Sequence, residues 1–184
     1  MMQLLKHGGT NNMTVYLDMD GVIADFFKGV EKLYGVDHWK SIKHRDGIFV
    51  ELRNTNFFDT LDCFEGHNIP NDSQKIVSFV KEISNGDWGI CSSPLRGDEY
   101  NSAFHKRNWL AKWDFLPDLE KLIFTSNKHK YAYNKLTRKP NILIDDKPEN
   151  IKRWNEAGGI GIRFQCNEDD IEEYLFEELR RVLD

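Results

Sequence analysis

Residues 14–25 read Thr-Val-Tyr-Leu-Asp-Met-Asp-Gly-Val-Ile-Ala-Asp. Thr14 to Leu17 is a short β-prone run, and it stops at the turn-forming Asp18-Met-Asp20-Gly21. A brief apolar run bounded by turn residues fits a strand buried on both faces of a parallel sheet. The arrangement recurs downstream. Trp88-Gly-Ile-Cys91 stops at Ser92-Ser93-Pro94, Leu122-Ile-Phe124 at Thr125-Ser126-Asn127, and Asn141-Ile-Leu-Ile144 at Asp145-Asp146. Gly159-Ile-Gly-Ile-Arg163 is a weaker fifth run.

Helical spacing fills the intervals. Ile76, Val77, Phe79, Val80 and Ile83 form one stripe, with Asn71 or Asp72 as caps and Gly86 as a stop. Ala103, Phe104, Trp109, Leu110 and Trp113 form a second. Pro148 suits the first turn of a helix carrying Ile151, Trp154 and Ala157, closed by Gly158-Gly159. Ile171, Tyr174, Leu175, Leu179 and Val182 predict a last amphipathic helix. Strand–helix alternation from Ser73 onward predicts an α/β fold: a Rossmann-like parallel sheet flanked by helices, with right-handed crossovers.

Residues 26–72 break that rhythm. They are rich in aromatics (Phe26, Phe27, Tyr34, Trp39, Phe49, Phe57, Phe58 and Phe64) and lack a clear buried strand. A structureless loop of that length is unusual in a domain. The stretch therefore reads as a small, mostly helical cap inserted after the first strand. The core is then 13–25 plus 73–184, behind a flexible leader at 1–12. Over the strand ends, the cap would exclude water and stack a planar group; otherwise it is a mini-core of its own.

Composition bounds the alternatives. At 184 residues the chain has the length of one domain with room for an insertion. Its 25 basic and 30 acidic residues leave a net charge of −5. That balance disfavours a nucleic-acid polymer or an anionic membrane as partner. Residues 1–12 have no apolar signal-peptide region. Three scattered cysteines, Cys63, Cys91 and Cys166, form no CxxC pair. They suit a reducing, cytoplasmic location.

In an open parallel sheet, ligands bind beyond the carboxyl ends of the strands. Asp18/Asp20, Ser92/Ser93 and Asp145/Asp146 should therefore converge although they are far apart in sequence. So many carboxylates in one place repel each other unless a cation intervenes. An all-oxygen set with no nearby His or Cys suggests Mg²⁺, which favours a phosphate substrate. The plainer reading makes these residues turn formers and helix caps.

Asp18-Met-Asp-Gly-Val-Ile-Ala-Asp25 resembles the first motif of the haloacid dehalogenase (HAD) superfamily, DxDGVxxD. Ser92 after its apolar run is similar to the second motif, Lys106 to the third, and Ile144-Asp145-Asp146 to the fourth. The set is ordered and spans Asp18 to Asp146. The 5'(3')-deoxyribonucleotidases of that superfamily resemble it more closely, at Asp18–Phe26, Ile90–Pro94, Lys106–Trp113 and Leu143–Pro148. Ser92 stands where that family often has Thr. The region after Asp25 matches only loosely.

The resemblance implies a Mg²⁺-dependent phosphomonoesterase acting on deoxyribonucleoside monophosphates through an aspartyl-phosphate. Asp18 would be the nucleophile and Asp20 the general acid, then base. Mg²⁺ would be held by Asp18, the Asp20 carbonyl and Asp146, with Asp145 supporting them. Ser92, Ser93 and Lys106 would bind phosphoryl oxygens. Phe26 faces the nucleotide in that family, and Lys128 sits where the family also has a Lys; a core aromatic and a solvated lysine are the plain alternatives. A homodimer and a place in nucleotide metabolism are implied in the same way. Phosphotransfer to an alcohol, a different small phosphoester, and a non-catalytic binding module remain as rival readings.

Other residues carry two readings each. Asp25 is a helix-start residue or part of the site. Arg96 and Lys130 attract an anion or face water. His105 and His129 have no metal-ligand spacing. Trp109 and Trp113 read as core. Glu168-Asp-Asp170 complements a helix N-terminus.

Overall fold

A computed structural model describes residues 13–43, 45–65 and 72–183. The leader at 1–12 and the cap residue Asn71 lie outside the described residues. In chain order the elements are β1 (Val15–Leu17), α1 (Phe26–Tyr34), α2 (Arg45–Glu51), α3 (Asp72–Ile83), β2 (Trp88–Ser92), α4 (Glu99–Lys112) and β3 (Leu122–Phe124). A small hairpin follows, β4 (Tyr133–Asn134) with β5 (Lys139–Pro140). Then come β6 (Ile142–Asp145), α5 (Pro148–Glu156), β7 (Ile160–Arg163) and α6 (Glu177–Leu183).

The five long-range strands form one parallel sheet in the order β3-β2-β1-β6-β7. Leu17 lies beside Ile90 on one side and Ile144 on the other, so the ends of β1, β2 and β6 are level. Alternate residues face opposite ways, as strand geometry requires. Val15, Leu17, Ile90, Ile142 and Ile144 pack with Trp109, Leu110 and Ile76 on one face. Tyr16, Cys91, Leu143 and Trp154 pack on the other. The apolar runs are thus apolar because both faces are covered, and the expected α/β sheet flanked by helices is what forms.

After β1 the chain makes a tight turn, with the Ile23 and Ala24 amides donating to the Met19 carbonyl. Asp25 then caps α1 by accepting from the Lys28 amide at 3.1 Å, which gives it the helix-start role. Residues 26–65 run through α1, a 3-10 turn at Trp39–Ser41, α2 and a second 3-10 turn at Phe57–Asp59. The segment returns beside its departure point. The Asp25 amide donates to the Asp62 carbonyl, and Ser73 Oγ donates to the Ile23 carbonyl while accepting from the Phe64 amide. Trp109 Nε1 donates to the Leu61 carbonyl at 2.8 Å, tying the segment to α4.

Three local expectations are corrected. Phe104 does not join the buried stripe of α4 and is 60% exposed; the inward face carries Ser102, Lys106, Trp109 and Leu110. Residues 171–176 wind more widely than an α-helix, with the Leu175 amide donating to the Asp170 carbonyl. In the acidic run, only Asp170 caps this helix, through the Glu173 amide. Asp169 instead binds Arg163 and the Gln165 amide. No described helix is long and apolar enough to cross a membrane.

Candidate active site

Asp18 follows β1 directly and is only 3% exposed. Its Oδ1 accepts from the Met19 amide at 2.8 Å and lies 3.0 Å from Lys128 Nζ. Burial pushes its carboxyl up, but the ammonium groups of Lys128, Lys106 and Lys147 outweigh that and hold it below the usual carboxylate range. Lys128 is equally buried, so the solvated-lysine reading of this residue is excluded. It donates to Asp145 Oδ2 at 2.6 Å as well as facing Asp18. Burial would lower its pKa, yet the two carboxylates keep it above the ordinary lysine value. Charges this deep persist only when paired and hydrogen-bonded. Here one ammonium answers two carboxylates.

Asp20, two residues on, is half-buried and faces the other lysine. Lys106 Nζ donates to Asp20 Oδ2 at 2.7 Å, to Ser92 Oγ at 3.1 Å and to the Ser93 carbonyl at 2.9 Å. It also lies 4.8 Å from the Phe58 ring centroid, within cation–π reach. Lys106 comes from α4, Ser92 from the end of β2 and Asp20 from the turn after β1. The structure therefore brings Asp18, Asp20, Ser92, Lys106 and Lys128 together, with Ser93 at the edge through its backbone. Asp20 Oδ1 is buried and has no partner among the described residues.

Asp145 and Asp146 end β6 on the third strand. Asp145 is saturated. Its Oδ1 accepts from the Lys147 amide at 2.9 Å, its Oδ2 from Lys128 Nζ, and Asn150 Nδ2 donates to both oxygens. Asp146 is the opposite case, with Oδ1 buried and unpartnered. Burial, then the charge of Asp18, pushes its carboxyl up to about 7. Gly21 (φ +82°) makes this approach possible, since a Cβ there would stand 2.9 Å from Asp146 Oδ2. One oxygen from each of Asp18, Asp145 and Asp146 lies within 4.8 Å of the others. With Asp145 fully engaged, Asp18 and Asp146 are the carboxylates left for a cation. That suits Mg²⁺, which binds through one or two carboxylates and keeps other positions for water and phosphate.

Beyond these groups the cleft divides in two. Phe26 and Phe49, stacked with centroids 6.2 Å apart, border both parts, as do Asp20 and Lys147. One part, about 270 Å³, is lined by Phe27, Trp39 and Gln165. The other, about 420 Å³, is lined by Arg53, Arg96, Phe58, Ser93 and Ser126. Phe26 is thus both a packed aromatic and a cleft wall. Trp109 is fully buried and is core. His105 lies apart, 3.5 Å from Asp59.

Sequence reasoning missed Lys147, Asn150 and Arg53. Lys147 is exposed, yet it sits next to Asp146 and is felt electrostatically by Asp18 and Asp20. Its signal was adjacency to the fourth motif. Asn150 had a weaker signal, in the first turn of a helix beginning at Pro148. Arg53 had none, because nothing local joins it to residues 93–97.

No family model matches the chain. A search of curated proteins finds the mitochondrial 5'(3')-deoxyribonucleotidase of Homo sapiens, 28% identical over 157 residues. The match covers 77% of this chain, and the chain spans 65% of that protein's length. Solved structures with a similar course include a HAD family enzyme of Bacteroides thetaiotaomicron in a magnesium complex. It is 15% identical, with a TM-score of 0.46 and coverage of 85% of this chain and 95% of that one. A hydrolase from Streptococcus pneumoniae is 17% identical, with a TM-score of 0.47 and coverage of 93% and 97%. In sequence, the chain is thus similar to a 5'(3')-deoxyribonucleotidase over most of its length.

Proposed function

We propose that this protein is a Mg²⁺-dependent phosphatase that hydrolyses the phosphomonoester of (deoxy)ribonucleoside monophosphates through an aspartyl-phosphate. One observation carries the reading. A buried aspartate, Asp18, is kept ionised by buried lysines, and a second aspartate, Asp20, stands beside it and borders the cleft.

An ionised Asp18 is a nucleophile without needing a base. Its carboxylate oxygen attacks phosphorus while the ester P–O bond breaks. The leaving oxygen takes a proton from Asp20, whose unpartnered Oδ1 is the atom free to hold one. Water then attacks phosphorus, giving its proton back to Asp20, and the P–O bond to Asp18 breaks to release phosphate. Lys106, held by Asp20, Ser92 and the Ser93 carbonyl, meets the phosphoryl oxygens by giving up one of these three bonds. Lys128 has its donors turned to Asp18 and Asp145, so it orients and charges the nucleophile. Mg²⁺, held by Asp18, the Asp20 carbonyl and Asp146, would supply charge neutralisation for the incoming phosphate. Asp145 would hold Lys128 and the Lys147 turn in place.

The nucleotide part of the reading rests on the human relative and on the aromatic lobe of Phe27 and Trp39, which suits a planar base. The test is phosphate release from nucleoside and deoxynucleoside 5'- and 3'-monophosphates, sugar phosphates and an aryl phosphate, with Mg²⁺ or EDTA. Mg²⁺-dependent release from nucleotides, lost in Asp18→Asn, is expected. Release from other phosphoesters alone keeps the chemistry and discards the nucleotide. Undiminished release by Asp18→Asn overturns the nucleophile.

A further inference from the structure

We infer that the second lobe of the cleft receives a second anionic group on the leaving side of the substrate, a phosphoryl or a carboxylate. The inference rests on the phosphatase reading, since it names what the leaving group carries. Arg53 and Arg96 line this lobe together with Lys147, Ser93 and Ser126. Its one acidic side chain is Asp20, which Lys106 faces at 2.7 Å. The lobe is therefore cationic in a chain whose net charge is −5.

Neither guanidinium forms an ion pair among the described residues. Arg53 is held instead by its Nε, which donates to the Arg96 carbonyl at 3.1 Å. Its guanidinium lies flat against the loop because position 97 is glycine (φ +80°); a Cβ there would come within 2.8 Å of Arg53 Cζ. The same contact is fastened on both sides. The Asn54 amide donates to Asp98 Oδ2, and Asn101 Nδ2 donates to the Thr55 carbonyl and to Asp98 Oδ2. A cation fixed by its backbone-facing nitrogen, with its terminal N–H groups left over, is preorganised for an anion. The phosphoryl group under attack does not need it, because Lys106 and Lys128 already sit at Asp18 and Asp20.

The experiment compares matched pairs with one and two anionic groups: a nucleoside 5'-monophosphate with its 3',5'-bisphosphate, and glycerol 3-phosphate with 3-phosphoglycerate. The first pair tests a phosphoryl, the second a carboxylate. The doubly anionic member of at least one pair should have kcat/KM higher by roughly ten- to hundredfold, the size of a hydrogen bond to a charged group. The ratio should fall toward one in Arg53→Gln and Arg96→Gln, and shrink as ionic strength rises. Arg96→Gln keeps the experiment decisive if Arg53→Gln disturbs the loop, because Arg96 braces the loop through its carbonyl and not its side chain. Binding of the same pairs to Asp18→Asn by calorimetry reads the lobe without turnover. A ratio near one in both pairs, or a preference untouched by both arginine changes, overturns the inference. No phosphate release from any compound, with the binding preference intact, would count against the phosphatase reading alone.

Discussion

The floor of the cleft and its outer walls are built on opposite plans. On the floor, at the ends of β1, β2 and β6, charged groups are buried and nearly all paired: Asp18 and Asp145 with Lys128, and Asp20 with Lys106. On the walls, Arg53 is held by one side-chain hydrogen bond and Phe49 by ring packing, and both border the cleft with Arg96. Groups on the floor cannot move without exposing a buried charge. Groups on the walls can change at small cost. Under the proposed phosphatase reading, the floor would act on any phosphoryl group and the walls would choose what leaves.

Substitutions that set floor against wall should sharpen this contrast. The largest effect is expected at the nucleophile. Asp18→Asn should lower phosphate release by at least about a thousandfold, read as kcat/KM on an aryl phosphate that asks nothing of the walls. Lys128→Met should come next, but in stability. It leaves Asp18 and Asp145 buried without their shared cation, at a cost of about 3–5 kcal/mol in urea unfolding. Lys130→Met, two residues away and exposed, should stay within about 0.5 kcal/mol. Equal losses at the two lysines would erase the distinction.

Asp146 is the floor group with an unanswered charge, and it predicts a metal response. A carboxyl raised to about 7 in the fold favours the protonated form. Its stability contribution is complete below the unfolded value of 3.8 and is lost as pH rises through 7. Without divalent cations, Tm should therefore fall between pH 5 and pH 8. Asp146→Asn should flatten that slope. At pH 8, Mg²⁺ at a hundred times its Kd should add about 2.7 kcal/mol to the wild type and little to Asp146→Asn. A metal-independent Tm at that pH would count against Asp146 as a ligand.

The smallest effect belongs to the walls. Phe49 is 46% exposed, so Phe49→Ala should barely change urea unfolding. It should raise KM for nucleotides by about threefold to tenfold, as loss of one ring contact does, and leave KM for glycerol 3-phosphate unmoved.

The floor was legible in the sequence because strand ends announce themselves. Val15–Leu17 and the Ile142–Ile144 stretch of β6 are continuous apolar runs, and the residue that stops each run lies on the cleft floor. Asp18, Ser92 and Asp146 could thus be found without knowing any contact. Lys106 and Lys128 were harder. A lysine in a helix or turn reads as solvated until the sheet shows what it faces. Phe104 failed for the same reason in reverse: it matched the stripe by type, while Lys106 took the inward position because carboxylate and hydroxyl partners awaited it. The walls were least legible. Arg53 depends on the carbonyl of Arg96, 43 residues away, and no local periodicity encodes such a meeting.

The position of β1 between β2 and β6 has a consequence for biosynthesis. Asp18 leaves the ribosome 110 residues before Lys128 and 127 before Asp145. At about 5–20 residues per second, translation takes roughly 5–20 seconds to deliver that lysine. During this interval β2 can join β1 on one side only, because the strand that covers the other side has not been made. The central strand of the finished sheet is then an open edge, with an ionised aspartate at its tip and free backbone groups along its length. Nascent chains stalled before residue 145 should therefore be held by chaperones and cut readily by protease, and a chain that clears that residue should become resistant in one step.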